Sequence, residues 1–394
     1  VLFLMPFGMK VFAFMNDAVV RLLDCAGKGT YFVFGPLAIP PGRVSPAGEP
    51  SLGFFLAFQA FPTIVFFSAL MAILYYWRVM PLIIRCFSWV FARLMRVSGA
   101  ESLCAASNIF VGIESATTVR PYIERMTRSE LFVMLTAGMS TVASNVLAFY
   151  TYCLQDTFWG IAGHLISASV LSAPAAIVMA KVMVPETGEP VTMGRVPEDA
   201  SERDKSLFEA VINGATAGMR LIFGIIALLL AVLGLMAVVD LVLCSAGARI
   251  NMMMGWHMDW SLSGLLAWVF YIPTALMGVQ PEDIGAVARL LGERVIGTEV
   301  ASYRDLALML SQGTFVHARS AVIASYALCG FAHVASVAIF VGGIAALAPS
   351  RSGELARLGF KALIAATIAC MLTACVAGVF LSGISPLLGI GVRP

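Results

Sequence analysis

Glu114 and Glu299 are the residues of this 394-residue chain whose chemistry sits least comfortably with their surroundings. Each stands two positions after a glycine, in Gly112-Ile113-Glu114 and Gly297-Thr298-Glu299, within a polar segment set between apolar stretches. A carboxylate at membrane depth is costly unless it lines a site. There it accepts charge-assisted hydrogen bonds from the hydroxyls or amides of a solute, or it coordinates a cation. The structural alternative is a cap on the N-terminus of a half-helix. Their equivalent positions in a repeat favour the site.

The repeat is carried by other residues too. Arg128-Ser129, Gly138 and Val142-Ala143-Ser144 follow Glu114, and Arg319-Ser320, Gly330 and Val334-Ala335-Ser336 follow Glu299, with the same spacing from the glycine to the Val-Ala-Ser. Two interrupted, polar segments in corresponding halves are the sequence mark of a secondary transporter whose site lies between the repeats. Asn108, Thr141 and the carbonyls freed near Val111 and Val142 form an all-oxygen set without net charge, which suits a hard monovalent cation. The competing reading is that Asn108 and Thr141 bond neighbouring helices. His333 lies in an otherwise apolar helix, beside Phe331 and close to Ser336. A neutral imidazole offers one donor and one acceptor and titrates in the physiological range, which gives it either a solute or a proton role. His164, His257 and His317 read as interfacial.

These groups need a membrane around them. Apolar residues make up 60% of the chain and charged ones 12%, with a mean hydropathy of +0.90, which excludes an ordinary soluble enzyme. A net charge of +2 without a basic run argues against nucleic acid as a partner. The eight cysteines show no metal spacing and read as small buried hydrophobes. The expected class is an all-α polytopic membrane protein with two repeats, each with a re-entrant hairpin and a broken helix.

The chain opens at Val1 in an apolar stretch without the charged start of a signal peptide, and this reads as the remainder of a membrane helix with a preceding span absent. Gly35 to Gly53 is a loop, Phe54 to Trp77 a span, and Arg78 to Val97 an amphipathic helix in the interface with its arginines toward headgroups. Ser98 to Arg128 is too short and polar to cross twice, so a re-entrant hairpin is expected. Leu131–Tyr150 and Leu165–Val184 follow as spans, and Pro185 to Ser206 as a solvated connector. The second half offers an apolar run at Ala215–Leu243, a span or part of one at Leu262–Met277, a second hairpin over Gly278–Arg319, and spans at Ala321–Ala348 and Phe360–Leu388. This divides the chain into 1–97 (membrane helices and interfacial helix of a scaffold), 98–206 (first repeat), 207–277 (scaffold helix and connector) and 278–394 (second repeat).

Five stretches carry a resemblance. GAESLCAASNIFVG, VRPYIERMTRSEL, HLISASVLSAPAAIVMAKVMVPE, SYALCGFAHVAS and LAPSRSGELARLGFKALIA resemble the concentrative nucleoside transporters, from about residue 26 to the end. The resemblance implies a homotrimer in the inner (plasma) membrane. It also implies a fixed scaffold and a moving transport domain in each protomer, importing nucleosides with sodium or protons by an elevator motion and without an organic cofactor. It places sodium ligands on Asn108, Val111, Thr141 and Val142, with Thr141 where a serine is common. Solute contacts fall on Gly112, Ile113, Glu114, Val146, Glu299, Phe331, His333 and Ser336. Two departures stand out. The family's Gly-Gln-Thr-Glu is one residue shorter here, and His333 replaces the asparagine after Cys-Gly-Phe-Ala. Sodium is favoured over protons, the alternative being a proton-coupled permease for a different nucleoside-like solute. An intramembrane enzyme using Glu114, Glu299 and His333 is the reading from another class, and it lacks a nucleophile.

Overall fold

The computed structural model describes residues 6–381 apart from 42, 46–47, 196, 198–203 and 256–257, and of residues 6–9 and 113 only the backbone. Among the described residues the regular structure is helical, and five stretches are long and apolar enough to cross a membrane: Leu56–Tyr76, Arg128–Leu154, Ile161–Met183, Leu207–Met254 and Pro349–Phe380.

The chain starts with α1 (Pro6–Phe34), which is long enough to span but carries Lys10, Asp17, Arg21, Asp24 and Lys28 and is not among those five. Each repeat then follows one plan. A membrane-length stretch, Leu56–Tyr76 ending in α2 (Phe61–Tyr76), or α8 (Leu207–Met254), leads to a shorter helix, α3 (Val79–Met95) or α9 (Leu262–Leu276). Next comes a hairpin: α4 (Gly99–Asn108) with a 3-10 helix at Ile113–Arg125, or α10 (Ile284–Ile296) with α11 (Glu299–Ser311). A broken helix follows, α5 (Arg128–Ser140) and α6 (Ser144–Leu154), or α12 (Ala318–Leu328) and α13 (Val334–Leu347), and then a closing helix, α7 (Ile161–Met183) or α14 (Ser352–Phe380). The packing repeats as well: α3 lies along α4 as α9 lies along α10, while α14 crosses over to pack on α5 and α7.

Local chemistry explains the boundaries. Arg78 and Arg96 both adopt left-handed backbone, with φ of 60° and 53°, so α3 is set off sharply at both ends. Ser98 with Glu101, and Thr127 with Glu130, form capping boxes that start α4 and α5. The two boxes are tied together, since Ser98 Oγ donates to Glu130 Oε1 at 2.6 Å. Lys181 from α7 completes the node by pairing with Glu101 and Glu186. In the second hairpin Asp283 accepts the N–H groups of Val316 and His317 at 2.8 and 3.1 Å. The helices α2 and α8 meet at Gly214 and Gly218, where an added Cβ would stand 2.7 Å from Ser68 O and 2.9 Å from Val65 Cα. Only small residues allow that approach.

Three expectations are corrected and a fourth is narrowed. The long apolar run extends well past Ala215–Leu243, since α8 has 48 residues, about 72 Å at 1.5 Å per residue. At 15 residues, α9 is about 22 Å long, too short to span by itself, which narrows the expected span or part of one at Leu262–Met277 to part of one. Leu131–Tyr150 and Ala321–Ala348 are each two helices with an unwound segment between them. The Val-Ala-Ser copies also differ in register: Val142-Ala143-Ser144 runs through the first break into N1 of α6, whereas Val334-Ala335-Ser336 forms the first turn of α13. Gly138 is accordingly helical, with the Phe340 ring against it, whereas Gly330 lies in the second break. Residues 382–388 of the expected final span lie outside the described residues.

Candidate functional site

Gly112 and Gly297 end the first arms of the two hairpins with nearly the same backbone, φ −68° ψ −117° and φ −69° ψ −107°. Beyond them the two glutamates meet different fates. Glu114 is exposed and lines a cavity of about 310 Å³ between the first hairpin and α2 and α8, together with Ser68, Tyr75, Asn145, Asp204 and Asn213. Val111 and Gly112 line it too, and the Ile113 side chain lies outside the described residues. Glu299 is buried and does not line that cavity.

Around Glu299 the side chains form a closed relay. Tyr150 from α6 donates its hydroxyl to Glu299 Oε1 at 2.8 Å, and its ring stacks on Tyr303 at 4.3 Å. His333 Nε2 stands 2.9 Å from Glu299 Oε2. His333 does not sit inside an apolar helix, as its sequence surroundings suggest; it is the N-cap of α13, with Nδ1 accepting the Ser336 N–H at 3.2 Å. That acceptance leaves the ring proton of a neutral imidazole on Nε2, facing the carboxylate. Ser336 returns its hydroxyl to His333 O at 2.6 Å. Glu299 is not the cap of its own helix, because Thr298 takes that place by accepting the Ala301 N–H. Val146 is buried one turn before Tyr150, and Phe331 is half-buried within the second break.

The first hairpin tip and the first break are joined by their main chains. Ser144 N–H donates to Phe110 O at 3.0 Å. Ser169 from α7 puts its hydroxyl 3.1 Å from Ile109 O and 3.3 Å from Val142 O. Asn108 is fully buried, and its amide group donates to Cys104 O at 3.1 Å. Its Oδ1 has no partner. Thr141 spends its proton on Ala137 O at 2.8 Å, which leaves the oxygen lone pairs available. A buried acceptor without a protein partner is a group that a cation can satisfy.

Tyr150, Ser169 and Asn145 are residues of this region that sequence reasoning passed over. The available signal was a lone tyrosine or small hydroxyl within an apolar stretch, as in Leu165-Ile166-Ser167-Ala168-Ser169. Of the other histidines, His164 is buried in the first turn of α7, 3.2 Å from Tyr326 Oη and edge-on to Phe12. His317 is half-exposed near Glu282, and His257 lies outside the described residues.

Residues 164–378 match the family model described as "Na+ dependent nucleoside transporter C-terminus", and residues 57–155 match one described as "Gate: Nucleoside recognition". An uncharacterized transporter of Haemophilus influenzae is 35% identical over 95% of this chain and 87% of its own length. Mouse solute carrier family 28 member 3 is 35% identical over 94% of this chain, and the chain spans 52% of that protein. Pig sodium/nucleoside cotransporter 1 is 30% identical, with 56% of its length spanned. Among solved structures, CNTnw in an inward-facing substrate-bound state gives a TM-score of 0.84 at 32% identity, covering 97% of this chain and 88% of that one. A CNTnw variant in an outward-facing state gives 0.83 at 32% identity, covering 95% and 86%. These relatives are transporters, and the intramembrane-enzyme reading falls away with them. With its membrane-length helices, paired hairpins and broken helices, this multi-pass membrane protein belongs to the concentrative nucleoside transporter family.

Proposed function

We propose that the protein imports nucleosides together with sodium. The observation that carries the cation half is the buried, unpartnered Oδ1 of Asn108, in a hairpin tip that Ser144 and Ser169 tie to the break at Thr141 and Val142. Sodium is cargo in this reading, and Asn108, Val111, Thr141 and Val142 are its ligands. The solute half is supported by Glu299, held on one side by Tyr150 and on the other by His333. Glu299, His333, Ser336, Phe331 and Val146 are assigned to the solute from one repeat and its neighbour, and Gly112, Ile113 and Glu114 from the other.

In this reading α1, α2, α3 and α8 with α9 make a scaffold, the hairpins and broken helices move against it as an elevator, and three copies assemble in the plasma membrane. The Glu114 cavity lies between the first hairpin and the two scaffold helices α2 and α8, which suits a boundary that opens and closes. The contact of His333 with Glu299 favours one second reading, proton coupling, because a proton shared there would replace the sodium charge.

Reconstituted protein in vesicles tests the reading with labelled nucleosides and imposed gradients. Accumulation of unchanged nucleoside that requires external sodium is the expected result. Accumulation that follows a proton gradient in choline transfers the coupling to the second reading, and absence of any nucleoside uptake overturns both.

A further inference from the structure

A complementary pair of defects separates the two repeats. In the first, the orphaned polar atom is an acceptor, Asn108 Oδ1, beside the end of α5. In the second, the atoms that meet no oxygen are donors, Nε and Nη2 of Arg294, in the last turn of α10, with the Cys370 thiol as their polar neighbour. Arg294 is fully buried, and among the described residues no carboxylate pairs with it. Its Nη1 donates to Ala327 O, one of the last carbonyls of α12. Tyr303 caps the neighbouring Ser325 O at 2.7 Å. Next to the guanidinium, the Cys370 thiol lies 3.2 Å from Cys329 O and 3.6 Å from Ser140 O, so the C-terminal ends of α12 and α5 converge there.

A buried charge without a counter-ion is heavily penalised. Two converging helix C-termini supply a compensating negative potential, each equivalent to roughly half a charge. A cation belongs at that point. In the first repeat the corresponding place, between the hairpin's first arm and the end of the first half-helix, is lined by neutral oxygens and draws its cation from solution. In the second repeat the chain supplies its own.

We infer that Arg294 is a tethered cation occupying, in the second repeat, the place that a mobile cation takes in the first. It is a positioning residue: it holds the end of α12 against α10 and so fixes the break that presents Phe331 and His333. One monovalent cation therefore travels with each nucleoside. This inference rests on the cation-coupled reading above.

The gradient at which net nucleoside flux reverses in vesicles gives the cation-to-solute ratio of the parent protein. A ratio of one is expected, and a ratio of two overturns the inference while leaving cation coupling intact. Flux indifferent to both sodium and proton gradients overturns the coupled reading and this inference together. Arg294→Ala, with its folding checked by melting, is expected to lose nucleoside affinity on the order of tenfold, as the loss of a buried charge at helix C-termini implies. Millimolar guanidinium is expected to restore it, and Arg294→Lys to retain most of it. A folded Arg294→Ala with parental affinity, or one indifferent to guanidinium, overturns the inference. Should that variant fail to fold, the flux ratio of the parent decides.

Discussion

His333 Nε2 stands 2.9 Å from Glu299 Oε2, with both side chains all but fully buried, so the imidazole and the carboxylate touch where neither reaches solvent. The same ring caps α13 through Nδ1, and the two duties fix its orientation. An asparagine in its place caps equally well, since asparagine is among the preferred N-cap residues. His333→Asn is therefore expected to melt within about 1 kcal/mol of the parent yet to change the order of preference among nucleosides. Uptake competition with a nucleoside panel, run beside melting curves, checks both parts. An unchanged order would reduce His333 to a cap.

Glu299→Gln replaces a charge-assisted acceptor with a neutral one. A loss of roughly tenfold in nucleoside affinity is expected, equivalent to about 1–2 kcal/mol. Tyr150→Phe removes the donor on the other oxygen and is expected to weaken affinity less, by about fivefold. Affinity unchanged in both variants, with melting lowered, would assign the cluster to stability alone.

Thr141→Val keeps the shape of the first break and removes an oxygen. Sodium is expected to raise the melting temperature of the parent, because a ligand that binds only the folded state stabilises it by mass action. In the variant that shift is expected to shrink, with a higher sodium requirement for uptake. Equal shifts in both proteins would remove Thr141 from the cation set.

Glu186, in the loop after α7, reports on pH. Burial pushes its carboxyl upward, but the Gly188 N–H, the Thr127 hydroxyl and the Lys181 ammonium outweigh this and hold it below the usual range. A depressed carboxyl stabilises the fold above its unfolded value, near 4.5, and that contribution is lost as pH falls through the folded value. The group is partly exposed, so the effect is less than about 1 kcal/mol and screened by salt. Glu186→Gln is expected to melt below the parent at neutral pH and to converge with it in acid. Parallel melting curves across that range would contradict the assignment.

Much of the plan was legible because polar groups in an apolar chain are conspicuous: Glu114, Glu299 and Asn108 stand out against their neighbours. The breaks were harder to place. When both halves of a broken helix are apolar, helical periodicity does not say where one stops, and the side chains that hold the ends, Ser169 and Cys370, come from α7 and α14, far along the chain. That is why the Val-Ala-Ser repeat misleads on register and why His333 looked like a helix interior residue. The starts of α4 and α5 were readable and passed unnoticed, since Ser98-Gly99-Ala100-Glu101 and Thr127-Arg128-Ser129-Glu130 each spell a capping box. The length of α8 was hidden by Arg220 and Asp240, which stand near the ends of the apolar run Ala215–Leu243 and lie inside one helix.

Gly330, with φ +147°, brings the second break so close to the first that an added Cβ would lie 2.7 Å from Ser140 O and 2.7 Å from Cys370 Sγ. Gly330→Ala is expected to cost roughly 2 kcal/mol or more, from both the backbone conformation and the lack of room, read as a lowered melting temperature. A variant as stable as the parent would show that the crossing can relax.

That contact of main chain on main chain has an electrical meaning. Where the breaks cross, backbone lies against backbone with no room for even a methyl group. In the cation-coupled reading proposed above, such a closed crossing lets charge cross the bilayer only in step with turnover. Currents from this protein should saturate with nucleoside and vanish without it, in place of the ohmic leak of a pore.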